Sequence, residues 1–203
     1  MNLIFEELIA SYLNSGVGQS CDFLSSELSD GLVLNLVGHK MKNDMKSAGI
    51  GQNEDFHKDL TYRKDKIHWL ETTTSNSSER LFFELIDSWI SYLNQTCYAG
   101  IMKSEFHYAL YEQGSFYKKH LDQFSKNDSR VFSMIMYLNA NWKEGDGGEL
   151  VIYKENETIK IPPSLGRMVF FDSGKYNLTN INKSYTSEEF VKYINNLVSS
   201  QPI

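Results

Sequence analysis

Two cysteines, Cys21 and Cys97, are too few and too far apart for a disulfide framework, and neither belongs to a C-x-x-C pair that could begin a zinc knuckle. A reducing, cytoplasmic setting is expected. No block of lysine and arginine stands out. Acidic and basic residues are interspersed, the formal net charge is −6, and the basic footprint that nucleic acid demands is missing. No apolar run approaches the roughly 18 residues of a membrane span. The opening MNLIFEELIASYLNSG carries Glu6 and Glu7 inside its apolar pattern and has no basic n-region, so it is not expected to act as a signal peptide. There is no internal repeat, and only TTTSNSSE at 72–79 has the composition of a linker. Nucleic-acid binding, membrane insertion and a disulfide scaffold are thus set aside in favour of a chain acting on small molecules or proteins.

What is present suffices for a core. Hydrophobic residues make up 41% and aromatics 13% of the 203 residues, so a single domain over 1–203 is expected. In the N-terminal segment Ile4, Phe5, Leu8, Ile9, Tyr12 and Leu13 recur at helical spacing behind Asn2 as a cap, with Gly16 as a stop. A second helix is expected over about 26–43. A third over 79–94 gathers Leu81, Phe82, Leu85, Ile86, Trp89 and Leu93 on a wide apolar face. From residue 101 the pattern changes to short β-type runs (EFHYALYEQ, RVFSMIMYLN, GELVIYKE, TIKIPP, RMVFFDS) separated by Gly, Asn, Asp, Pro and Ser clusters. Helical support over 1–100 followed by antiparallel strands over 101–182 predicts an α+β fold, with helices packed outside a sandwich or small barrel.

The stretch YKKHLDQF at 117–124 places His120 two residues before Asp122. On a strand, residues two apart point to the same face, so both side chains can aim into one cavity as cis ligands. Imidazole plus carboxylate suits Fe(II), and a second histidine would complete the facial triad that leaves positions open for a co-substrate and O₂. Alone, the tripeptide is a weak signal that arises easily by chance, and a solvated strand end is its commoner meaning.

Its surroundings are more specific. YEQGSFYKKHLD from Tyr111 to Asp122 is followed by Ser129 and Arg130, then by MYLN ending at Asn139, Trp142, and DGGEL from Asp146 to Leu150. Upstream lie AGIG from Ala48 to Gly51 and RKDKIHWLE from Arg63 to Glu71. In this order, from about residue 45 to residue 173, these segments resemble the 2-oxoglutarate and Fe(II)-dependent dioxygenases, in particular their prolyl 4-hydroxylase and Egl-nine-like branch. The resemblance implies a double-stranded β-helix, or jelly roll, with helices on its larger sheet. It implies Fe(II), 2-oxoglutarate and O₂ as cofactors with ascorbate as reductant, and hydroxylation of a prolyl or related residue of a protein or peptide with release of succinate and CO₂. Position by position, His120 and Asp122 fall on iron ligands, Tyr111 and Tyr137 on tyrosines that reach 2-oxoglutarate, and Arg130, Arg63, Asp65 and Trp69 on the substrate entrance. Gly147 and Gly148 are expected in a tight turn, with Asn139 and Trp142 fixing a loop at the barrel rim.

Beyond RMVFFDS the text departs from the family. A distal histidine, the third ligand, and an arginine that clamps 2-oxoglutarate are expected there, but no histidine follows His120 and no arginine follows Arg167. Asn177 or Leu178 occupies the ligand slot, Asn177 offering a weak oxygen donor, and Lys183 is the nearby cation that could meet the co-substrate. SEEFVKYINNLV, behind Thr186 or Ser187 as cap, has helical spacing and predicts a C-terminal helix over 186–199. His107 and His68 sit in apolar strand patterns, His39 follows a helix and His57 lies in a polar loop. His107, His68 and His39 read as ordinary packed or surface histidines; a histidine from elsewhere, such as His107 or His68, could fill the gap, although nothing in the spacing requires it. Two functions therefore stand: an active dioxygenase, or a jelly-roll module that has lost its chemistry and binds a protein or peptide in the same groove.

Overall fold

The computed structural model describes residues 2–50, 58–123, 130–181 and 191–199. Three helices, α1 (Asn2–Ser15), α2 (Ser26–Lys42) and α3 (Ser77–Cys97), precede most of the sheet. None of the described helices is long and apolar enough to cross a membrane. The strands are β1 (Val17–Ser20), β2 (Lys46–Ser47), β3 (Lys66–Trp69), β4 (Lys103–Tyr111), β5 (Phe116–His120), β6 (Arg130–Tyr137), β7 (Leu150–Tyr153), β8 (Thr158–Ile161), β9 (Met168–Asp172), β10 (Asn177–Ile181) and β11 (Val191–Ser199).

Local chemistry sets the helix ends. Ser25 caps α2 by accepting from the Leu28 N–H, and Asn43 ends it in the left-handed conformation at φ 55°, its N–H returned to the His39 and Lys40 carbonyls. Asn76 caps α3 by accepting from the Ser78 and Glu79 N–H groups. The stretch at 72–79 that reads as a linker is therefore a helix start, because Ser, Thr and Asn favour caps as strongly as loops. Asn35 and Asn76 exchange side-chain amide hydrogen bonds of 2.7 and 2.8 Å, tying α2 to the first turn of α3. After α1 the chain reverses at Gly16, φ 71°, where an added Cβ would lie 2.2 Å from the Tyr176 hydroxyl.

Two antiparallel sheets form two layers. One has seven strands in the order β1-β9-β6-β11-β4-β3-β2, the other four in the order β5-β10-β7-β8. From β4 onward the chain steps repeatedly between them, with β4, β6, β9 and β11 in the larger sheet and β5, β7, β8 and β10 in the smaller. Period-two alternation divides the core. Phe106, Tyr108 and Leu110 of β4, Met134 and Met136 of β6, and Met168 and Phe170 of β9 pack with the helices. Their neighbours Ala109, Tyr111, Ile135, Tyr137, Val169 and Phe171 pack with Ile152, Ile161 and Leu178 of the smaller sheet.

The α+β expectation and the strands over 101–182 agree with this architecture, as do the three helices. The first half also holds β1, β2 and β3, which at two to four residues are too short to register as alternation. The helix expected over 186–199 is corrected: Val191–Ser199 is a strand paired antiparallel with both β4 and β6, and 186–190 lie outside the described residues. Its Val, Ile and Tyr content suits a strand, and the open backbone edges of β4 and β6 are filled by it, a tertiary demand that overrides helical spacing. Gly147 and Gly148 both have φ 80°, the Trp142 indole donates to the Gly147 carbonyl at 2.7 Å, and the Asn139 amide donates to the Pro163 carbonyl at 2.6 Å, so the turn and rim loop are built as expected.

Phe82 on α3 is fully buried and meets Phe106 of β4 edge-on at 4.8 Å between ring centroids. Phe82→Ala should cost about 3–5 kcal/mol of unfolding free energy, read as a lower urea midpoint with unchanged slope.

Candidate active site

Strand β5 delivers His120 at its last position, and Asp122 follows in the turn; both are buried. The ring of His120 is held in three ways. Its Nδ1 lies 2.6 Å from the Lys118 carbonyl, which only an N–H can satisfy, so the proton sits on Nδ1 and the Nε2 lone pair is left for the cavity. Tyr117 stacks on it with centroids 3.4 Å apart and planes 12° from parallel. Arg63 in turn places its guanidinium 4.0 Å from the Tyr117 centroid.

Arg63 itself is fixed by a two-pronged pair with Asp65, Nε to Oδ1 at 2.8 Å and a second nitrogen to Oδ2 at 2.5 Å, and by donation to the Gly49 carbonyl at 3.2 Å. Burial works to lower the Arg63 pKa, but Asp65 more than reverses this and holds it above its ordinary value. Arg63 and Asp65, expected at a substrate entrance, pair with each other, and the Arg63 guanidinium packs against Tyr117. Arg130 opens β6 and donates to the Asp122 backbone carbonyl at 2.8 Å.

The Nε2 of His120 lies 3.2 Å from Asp122 Oδ1. Two donors each about 2.0–2.2 Å from one ion sit roughly 3 Å apart when cis, so this spacing accommodates a shared divalent metal without rearrangement. Asp122 Oδ2 is buried with no hydrogen-bond partner among the described residues. Such an oxygen costs free energy unless something else engages it. Burial tends to raise the Asp122 carboxyl pKa. The neighbouring His120, the Ser133 hydroxyl and the Arg130 guanidinium outweigh it and hold the group below the usual carboxylate range, ionised as a ligand must be. By donor type, spacing and an orphaned oxygen, His120 and Asp122 fit an iron ion at two positions.

The third position has no donor of the usual kind. Register puts Leu178 of β10 directly opposite His120, and Leu178 is buried in the inter-sheet core. Asn177, the nearer candidate in the sequence reading, is exposed and pairs with Tyr153 instead. Among the described residues, the one set of three His, Cys, Asp or Glu side chains with ligand atoms mutually within 4.8 Å lies elsewhere, at His39, Asp44 and His68. Lys183 lies outside the described residues.

Tyr111 and Tyr137 are both buried on the inter-sheet side, and β11 runs between them with Val191 opposite Tyr111 and Tyr193 opposite Tyr137. Burial raises the Tyr137 pKa well above that of an exposed phenol, so it stays a neutral donor. Trp69 is half-exposed and meets the His107 ring edge-on at 4.8 Å.

His107, expected to be an ordinary packed histidine, differs from one in its surroundings. It is buried, and neither ring nitrogen has a hydrogen-bond partner among the described residues. Burial, then the charges of Arg63 and Arg130, push its pKa down to about 3 against an opposing pull from Asp122. A neutral imidazole therefore faces the same charges as the metal-ligand pair. The signal was in the text: counting back by twos from Tyr111 passes through Ala109 to His107. Tyr117, whose ring stacks on His120, sits three residues before it, a spacing that by itself does not announce the contact.

Residues 106–187 match the family model described as the 2OG-Fe(II) oxygenase superfamily. Among solved structures, the chain is similar to a prolyl-4-hydroxylase from Pseudomonas putida, at 23% identity and a TM-score of 0.85 over 98% of this chain and 100% of that one. It is also similar to a prolyl hydroxylase from Trichoplax adhaerens in complex with a hypoxia inducible factor oxygen degradation domain peptide fragment, at 22% identity and 0.84 over 98% and 90%. The viral collagen prolyl hydroxylase of Paramecium Bursaria Chlorella virus-1 shares 19% identity, with a TM-score of 0.63 over 91% and 96%. At these identities the likeness to solved structures is one of fold.

The His107 shift fixes a direction for stability against pH. An unfolded histidine titrates near 6.5 and the folded one at about 3. Between those values only the unfolded chain takes the proton. The contribution is thus complete above pH 6.5 and is lost as pH falls, by up to about 1.4 kcal/mol per unit. In denaturant titrations from pH 7 to 4, His107→Phe should show a shallower acid decline than the parent protein.

Proposed function

We propose that this chain, whose residues 106–187 match the family model of the 2OG-Fe(II) oxygenase superfamily, is a 2-oxoglutarate-dependent dioxygenase of that superfamily hydroxylating a prolyl or related residue of a protein or peptide. Succinate and CO₂ are the co-products and ascorbate is the reductant. The two sheets are read as the double-stranded β-helix of that superfamily, forming one domain with its helices. The observation that carries the reading is the buried 3.2 Å pair of His120 Nε2 and Asp122 Oδ1 beside an unpartnered Asp122 Oδ2. The peptide held by the Trichoplax enzyme supports a peptide substrate.

In this reading iron, held by His120 and Asp122, supplies the binding and reduction of O₂. The protein's part is positioning. The Lys118 carbonyl fixes the tautomer that turns Nε2 inward, and Tyr117, pinned by Arg63, fixes the plane of the ring. Arg130 steadies the Asp122 backbone and favours the ionised carboxylate. Tyr111 and Tyr137 are assigned as hydroxyl donors to 2-oxoglutarate, with Lys183 as the cation for its far carboxylate in place of the family's arginine. Trp69, half-exposed beside His107, is assigned to the substrate entrance. His107 supplies an uncharged wall that does not compete with the ligand pair for protons.

Leu178 opposite His120 favours a second reading, a binding module without turnover, because a dry aliphatic group stands where a ligand would complete the triad. The two readings differ in outcome. Purified protein with Fe(II), 2-oxoglutarate and ascorbate should release succinate above a protein-free control, and Asp122→Ala should reduce release to background; no release and no 2-oxoglutarate binding would leave the binding module. Independently, Leu178→His offers imidazole from the opposite strand and should tighten Fe(II) binding tenfold or more over the parent, measured by calorimetry under anaerobic conditions. An unchanged affinity in a folded variant counts against a metal at His120 and Asp122.

A further inference from the structure

We propose that His39, Asp44 and His68 form a second metal site, for a zinc-class divalent ion, on the helix side of the larger sheet. His39 stands in the last turn of α2, and the left-handed turn at Asn43 folds the chain back so that Asp44 returns beneath it. Asp44 Oδ1 and Oδ2 each lie 3.0 Å from His39 Nδ1. His68, on β3, brings its own Nδ1 to 3.5 Å from Asp44 Oδ1. The two imidazoles stack at 3.7 Å between centroids, 27° from parallel.

These distances match the edges of a coordination polyhedron. Zn²⁺ with nitrogen and oxygen ligands at 2.0–2.2 Å sets neighbouring ligand atoms roughly 3.0–3.5 Å apart, from octahedral to tetrahedral. Because the rings now lie near parallel, binding requires them to swing well apart, trading the stack for a geometry in which both Nδ1 lone pairs meet at one point. The proton that His39 now shares with Asp44 is displaced by the ion, as metal binding to a histidine requires.

A second observation supports the assignment. His39 Nε2 lies 3.9 Å from Glu79 Oε1, and Glu79 is buried and oriented by Thr74 at 2.7 Å and by the Tyr108 hydroxyl at 3.3 Å. At 3.9 Å the carboxylate makes no direct hydrogen bond to Nε2, but its negative charge on the far side of the ring favours a proton there and leaves Nδ1 as the donor to a metal. The neighbouring imidazoles and Lys42 also keep the Asp44 carboxyl below its usual range, although burial pulls the other way. Access is open, since the three residues line a cavity of about 710 Å³ at the protein surface. An ion here joins the end of α2 to β3 of the larger sheet. Two histidines and one carboxylate give borderline donors, and the affinity order for such donors ranks Zn²⁺ above Fe²⁺.

The test separates this site from the one on the other face of the sheet. Metal-free His120→Ala protein is titrated with Zn²⁺ by calorimetry, and with Co²⁺ while its visible absorption is followed. One ion per chain should bind, with the intense d–d bands of a low-symmetry nitrogen and oxygen site. His39→Ala or His68→Ala on that background should weaken binding tenfold or more, and Zn²⁺ should raise the thermal midpoint only when both histidines are present. Asp44→Asn guards against loss of fold, because Asp44 is exposed and the change keeps its shape; it too should weaken binding at least tenfold. Absence of Zn²⁺ binding in the His120→Ala protein, or binding of unchanged strength in a folded Asp44→Asn variant, overturns the proposal.

Discussion

Strand β4 has two faces with opposite chemistry, and most of the molecule is arranged around the difference. Phe106, Tyr108 and Leu110 face the helices, while Ala109 and Tyr111 face the smaller sheet. Because the side-chain period is two, a one-residue slip would send His107 and Tyr111 into the helical core and Phe106 and Tyr108 into the cavity between the sheets. The register with β3 and β11 prevents this, with Trp69 opposite His107 on one edge and Asn195 opposite His107 on the other. Tyr108 touches Glu79 and stands near the His39 ring, one residue from His107. The His39, Asp44 and His68 cluster thus lies on the helix side of the larger sheet, and His107 on its inter-sheet side.

Order around His120 is built from stacked planes. Asp65 grips Arg63, Arg63 lies against Tyr117, and Tyr117 lies against His120, so the imidazole inherits its orientation from a buried ion pair reached through two flat groups. Pairing keeps the Arg63 and Asp65 charges tolerable in the interior. The two arginines, Arg63 and Arg130, are balanced locally by Asp65 and Asp122, leaving His107 with reason to remain uncharged. A bulk metal analysis of such a protein sums over two sites of different character, so the variants at each carry the assignment.

The parts of this structure that repeat with a period could be read from the text. The face of α3, the alternation in β4, β6 and β9, and the same-face placement of His120 and Asp122 follow from spacing alone. Lost to the sequence were features that exist only when distant segments meet. Asp44 and His68 each look ordinary in their own segment, and their proximity is set by a left-handed turn and a strand pairing. Leu178 and Asn177 are adjacent in sequence, and only register with His120 tells which one looks into the cavity. Val191–Ser199 was misread because a partner on each side decides its conformation, a circumstance its composition does not encode.

The reciprocal amide pair between Asn35 and Asn76 imposes a rule on how this chain can change over time. Each carboxamide gives one hydrogen bond and receives one, and Asn76 also caps α3. Replacing either asparagine alone strands the polar atoms of the other against α2 and α3, whereas replacing both together with groups that fit each other, residue 76 still offering an oxygen to the first N–H groups of α3, leaves nothing orphaned. Drift at these two positions is therefore expected to be concerted. In descendants of this chain, the identity of residue 35 should predict the identity of residue 76 even though 41 positions separate them.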